Sequence, residues 1–95
     1  MSEKVEGKIA AYTEAGSLVT DIPNDRLLAA PRNDSVTFAC DEHETIGLYS
    51  TDHQQPDFTF LAVLGPSGCL ELQIVGESAK VMLGIRLGER VTVKW

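Results

Sequence analysis

The chain has 95 residues, of which 43% are hydrophobic and 23% charged, values ordinary for one globular domain and well away from those of disordered chains. Its formal net charge of −6, from 14 acidic against 8 basic residues, repels phosphate backbones and anionic lipid, so nucleic acid and membrane surfaces are poor partners. No apolar run approaches the roughly 18–20 residues that span a bilayer. The start Met1-Ser2-Glu3-Lys4 leads into no signal-peptide core, so the expected location is cytoplasmic, with Cys40 and Cys69 as reduced thiols.

In chain order, short β-branched and apolar runs alternate with Gly, Pro, Asn and Asp. Lys4–Tyr12 reads as a first strand. Leu18–Ile22 reads as a second, with Leu18, Thr20 and Ile22 on one face and Pro23-Asn24-Asp25 as its stop. A single helical turn is expected over Arg26–Ala30, ended by Pro31. Asn33-Asp34-Ser35 reads as a turn, after which Val36, Phe38 and Cys40 alternate inward along a third strand. Thr45–Tyr49 is a fourth strand and Phe58–Leu64 a fifth, with Ser50–Asp57 an exposed loop between them.

Leu70, Leu72 and Ile74 then alternate with Glu71 and Gln73, which predicts a half-buried strand with Glu71 turned to solvent. One helix is clear: Ser78 caps it, Ala79–Leu83 carry it and Gly84 suits its left-handed end. Arg90–Trp95 forms a last strand with Val91, Val93 and Trp95 on one side. Seven short strands, one short helix and no βαβ alternation predict an all-β fold, a small closed antiparallel barrel, as one domain over residues 1–95.

Several segments in order resemble the C-terminal domain of the S-adenosyl-L-methionine hydroxide adenosyltransferase family. Thr13-Glu14-Ala15-Gly16-Ser17-Leu18-Val19-Thr20-Asp21-Ile22 is similar to that family's Asp-x-Phe-Gly-Asn-Leu-x-Thr-Asn-Ile. Leu64-Gly65-Pro66-Ser67-Gly68-Cys69-Leu70-Glu71-Leu72 is similar to its Gly-Ser-Ser-Gly-Tyr-Leu-Glu-Ile. Glu77-Ser78-Ala79 with Leu83-Gly84, then Gly88-Glu89-Arg90-Val91, resembles the helix and closing turn. The resemblance spans about residues 7 to 94. It implies a Greek-key barrel that in relatives supplies adenine and methionine contacts, in sites formed between subunits of a trimer. The residues thought to activate water or halide belong to an N-terminal domain with no counterpart here.

Mapped residue by residue, the resemblance implies ligand contacts at Gly16, Ser17, Ser67 and Gly68. The family's aromatic becomes Ala15, its Asn becomes Ser17 and its Asp becomes Thr13, so most side chains that would read adenosine are replaced while the shaping glycines remain. The expected role is therefore a non-catalytic, stand-alone domain acting through a homo-oligomer, a trimer by resemblance, or a protein partner. The alternatives are a binding module for an adenosine-like or other small ligand, and a subunit completing an S-adenosylmethionine hydrolase whose catalytic domain is a separate chain.

No cofactor is implied. Cys40-Asp41-Glu42-His43 has one metal-like spacing without the second paired motif of structural zinc sites. Ser67, Cys69, His43 and His53 supply no recognisable nucleophile and base, so no catalytic residue is assigned. Lys80, Arg86, Arg90 and Lys94 form the basic concentration, suited to an acidic partner or to the acidic half of a second copy.

Overall fold

The structure is a computed structural model that describes residues 3–31, 35–51 and 53–95, so the turn expected at Asn33-Asp34 lies outside the described residues, as does Asp52 of the loop. The described residues form eight strands: β1 (Lys4–Tyr12), β2 (Leu18–Pro23), β3 (Thr37–Cys40), β4 (His43–Ile46), β5 (Leu48–Tyr49), β6 (Phe60–Leu64), β7 (Cys69–Ile74) and β8 (Arg90–Lys94). A 3-10 turn covers Asn24–Leu27 and helix α1 covers Ala79–Leu83. The strands make one sheet in the order β4-β3-β8-β1-β2-β7-β6-β5, an all-β, nearly closed barrel. The neighbours β1 and β8, β2 and β7, and β3 and β8 are the long returns of a Greek-key arrangement.

Alternation along the strands builds the core. Leu18, Thr20 and Ile22 of β2 are buried, as are Phe38 and Cys40 of β3 and Val36 just before it. Leu70, Leu72 and Ile74 of β7 and Val91 and Val93 of β8 complete the same cluster. The Thr20 hydroxyl donates to the Leu70 carbonyl at 2.8 Å, which satisfies a polar group that burial would otherwise strand.

The strand expected over Thr45–Tyr49 is two strands. Gly47, at φ 90°, breaks the run and donates its N–H to the Val36 carbonyl at 2.9 Å. β4 stays paired with β3, whereas β5 crosses to lie parallel to β6, the one parallel pair among the described residues. One continuous chain segment thus supplies both edges of the sheet. The Thr45 hydroxyl, donating to the Phe60 carbonyl at 2.7 Å, ties β4 to β6 across the seam.

Three other expectations are corrected. The helical turn expected over Arg26–Ala30 is a 3-10 turn beginning at Asn24, tightened so that Leu27 enters the core. Phe58 is outside its expected strand, exposed at φ 69°, because the Thr59 hydroxyl donates to the Pro56 carbonyl and holds a turn there. Glu71 does point away from the main core, yet it is only 2% exposed. Leu61 and Val63 are buried without belonging to the main cluster, and Val63 lies directly across from Glu71.

Candidate functional site

Gly16 and Ser17 end the turn between β1 and β2. The turn is locked by Gly16 N–H donating to the Thr13 carbonyl at 2.9 Å and Ser17 N–H donating to the Thr13 hydroxyl at 3.0 Å. Gly16 is at φ 86°, and a Cβ there would strike the Ser78 side chain. That close approach lets the Gly16 carbonyl accept the Lys80 N–H at 2.8 Å while the Ser78 hydroxyl accepts the Val81 N–H at 3.2 Å. Two of the helix's first N–H groups, which have no partner within a helix, are thereby satisfied.

Beside this junction lies a groove of about 510 Å3 lined by Ala15, Ser17, His53, Gln73, Glu77 and Ser78 among others. His53 Nδ1 accepts the Gln55 N–H at 3.0 Å, so a neutral imidazole carries its proton on Nε2. Its ring meets Tyr49 edge to face, with centroids 6.2 Å apart. The groove therefore offers one flat ring, several hydroxyl and amide groups and one carboxylate, enough to hold a small polar molecule. Of the residues lining this groove, the resemblance implies a ligand contact for Ser17, and His53, Gln73, Glu77 and Ser78 lie outside the set it implies. Ser78 was legible as a helix cap and Gln73 as an outward-facing residue of β7.

Ser67 and Gly68 lie elsewhere. They form the β6–β7 turn, with Gly68 at φ 91° and its N–H donated to the Gly65 carbonyl at 3.2 Å. Register places Leu18 opposite Leu72 and Pro23 opposite Cys69, so the Ser17 and Ser67 pairs stand at opposite ends of β2. Six residues at about 3.3 Å each put roughly 20 Å between them. Within one chain the structure does not bring the four residues into one pocket. The Ser67 hydroxyl instead donates to Glu71 Oε2 at 2.9 Å, and the Gln73 amide donates to Glu71 Oε1 at 3.2 Å. Gly65, lacking a side chain, leaves the space the Glu71 carboxylate fills. Glu71 is a further polar residue that strand alternation alone did not place inside.

The remaining candidates are scattered. His43, in β4, places Nε2 3.1 Å from the Leu83 carbonyl at the end of α1. Cys40 is buried and Cys69 half-buried, and among the described residues no three Cys, His, Asp or Glu side chains group closely enough to hold a metal ion. Burial pushes the Cys40 thiol up to about 11, with the charges of Glu89 and Asp41 adding to it. Lys80 lies 4.7 Å above the Tyr12 ring, whose hydroxyl donates to the Ile85 carbonyl at 2.8 Å. The segment from α1 to β8 also presents large apolar side chains to solvent: Val81 is 77% exposed, Met82 56% and Leu87 57%.

The fold defines a barrel-like all-β domain, and no helix among the described residues is long and apolar enough to cross a membrane. No family model and no curated protein matches the chain. Solved structures do. An uncharacterized conserved protein from Thermotoga maritima is similar over 95% of this chain and 35% of its own, with a TM-score of 0.79 and 22% identity. A conserved hypothetical protein from Thermus thermophilus is similar over 93% of this chain and 34% of its own, with a TM-score of 0.73 and 20% identity. The chain spans about a third of the length of these solved structures, and at such identities the likeness establishes the fold alone.

Proposed function

We propose that this barrel is a non-catalytic association domain, packing through the segment from α1 to β8 against a second copy or another protein in the cytoplasm. The observation that carries the reading is the exposure of Val81, Met82 and Leu87 within seven residues. Large apolar side chains gathered this closely on a surface are a mark of interaction sites. The Gly16 turn and the Ser78 cap hold the start of α1, which carries Val81 and Met82. The resemblance to the adenosyltransferase C-terminal domain supports the same reading, since those domains work inside trimers. A subunit completing a hydrolase with a separate catalytic chain is a special case of it.

Sedimentation velocity tests the proposal. The native chain is expected to associate with itself, or to be captured by a partner, and the double substitution Val81→Glu with Met82→Glu is expected to abolish that without lowering the melting temperature. A chain that stays monomeric and binds no protein overturns the reading.

The groove beside Ser17 favours a second reading, a binding module for an adenosine-like or other small ligand. Thermal unfolding against adenosine, S-adenosylmethionine and methionine separates the two readings. A ligand at about 100 times its dissociation constant adds roughly 2.7 kcal/mol, and substituting His53→Ala would remove that gain if the groove is the site.

A further inference from the structure

Glu71 breaks the pattern its strand otherwise follows. It stands on the outer face of β7, with Val63 directly across on β6 and Val19 directly across on β2, yet it is only 2% exposed. A buried carboxylate loses its water, and among the described residues no lysine or arginine pairs with it. It is held by the Ser67 hydroxyl on Oε2 and the Gln73 amide on Oε1. Gly65 keeps its space open, since a Cβ there would collide with the carboxylate. An apolar side chain of similar size would fill the site without that desolvation cost. Such departures from local preference gather at functional sites.

The Gln73 amide links this carboxylate to the groove. Gln73 is half-buried and lines the groove beside Ser17. A carboxylate accepts hydrogen bonds and does not donate them, so the nitrogen end of the amide faces Glu71 and the oxygen end is turned from it. Without that partner the amide is free to rotate by half a turn and exchange donor for acceptor. The Glu77 carboxylate is a second acceptor in the same lining, and His53, with its proton on Nε2, is a donor.

We propose that Glu71 is a positioning residue that sets the specificity of this groove. By holding the nitrogen of Gln73 it fixes Gln73 Oε1 as an acceptor, and so selects a ligand that presents an N–H donor, from an amine or an amide, beside an acceptor for His53. The proposal rests on the reading of the groove as a binding site and names the ligand chemistry of that site. It also gives Ser67 a role at a distance. Ser67 is outside the groove, at the other end of β2 from Ser17, and its hydroxyl acts on the lining through Glu71 and then Gln73.

The test compares adenosine with inosine by titration calorimetry on the full chain. The two nucleosides share a shape, but inosine carries a carbonyl oxygen where adenosine carries an amino group, which sets acceptor against acceptor at Gln73 Oε1. The native chain is expected to bind adenosine about tenfold or more tightly than inosine, because facing acceptors leave both unpaired. Glu71→Met keeps the volume, removes the carboxylate and is expected to fold and to bind the two nucleosides almost equally. Glu71→Gln, whose amide oxygen still accepts from Gln73, is expected to keep most of the preference. Ser67→Ala, at an exposed turn, is expected to leave the fold intact and to lose part of it. Equal binding by the native chain, or a preference unchanged in Glu71→Met and Ser67→Ala, overturns the proposal and leaves the binding reading standing. If neither nucleoside binds, the binding reading fails and the proposal falls with it.

Discussion

Cys40 is 1% exposed, and at such a site a thiolate loses its water without gaining a cation. Its folded value of about 11 lies above the ordinary 9.0, so the thiol's contribution to stability is constant below pH 9.0 and is lost as pH rises toward about 11. Replacing Cys40→Ala removes buried contacts and lowers the melting temperature at neutral pH. The gap between native chain and variant is expected to narrow in melts taken across that alkaline window, because only the native chain has this thiol to lose. A constant gap would mean that burial does not hold the proton. Cys40 was legible from the alternation of Val36, Phe38 and Cys40. Glu71 was legible only in direction, since alternation says which way a side chain points and not how deep it lies. Its depth comes from Gly65 and from the Ser67 and Gln73 donors, which the sheet register brings to it.

Helix α1 is five residues long, too short to be stable alone, and persists because its ends are held. Both holding residues were readable: Ser78 caps the start, and Gly84, at φ 65°, closes the end with its N–H on the Lys80 carbonyl at 3.1 Å. Less readable was the turn at Gly16, which meets the helix from a distant part of the chain. Removing the cap with Ser78→Ala is expected to cost about 1 kcal/mol. Gly16→Ala is expected to cost more, about 1–3 kcal/mol from the positive φ alone, and also displaces the Ser78 side chain. Denaturant midpoints of the two variants at unchanged slope check the order, and a Gly16→Ala protein as stable as Ser78→Ala would refute the clasp. The split at Gly47 escaped notice for a related reason: a glycine in an apolar run signals a break, but which neighbour each half then joins is decided by the rest of the barrel.

At the scale of the molecule, local patterning specified strands and faces but not their order. β1 lies between β2 and β8, so the sheet cannot be completed before β8 is present. The same non-local register separates Ser17 from Ser67 within one chain, two residues for which the resemblance implies ligand contacts. Barrel closure is the weakest part of this order. Between β4 and β6, no backbone ladder forms at Thr45 among the described residues, and its hydroxyl meets the Phe60 carbonyl. Thr45→Val keeps the shape, deletes that bond and leaves the carbonyl unpaired, at an expected cost of about 1 kcal/mol. Local opening should then be confined to the seam, so amide exchange is expected to quicken in β4 and β5 and to stay unchanged in the β1–β8 ladder. If exchange instead rises equally everywhere, the seam opens only when the whole barrel unfolds, and the two short strands flanking Gly47 belong to the same cooperative unit as the core.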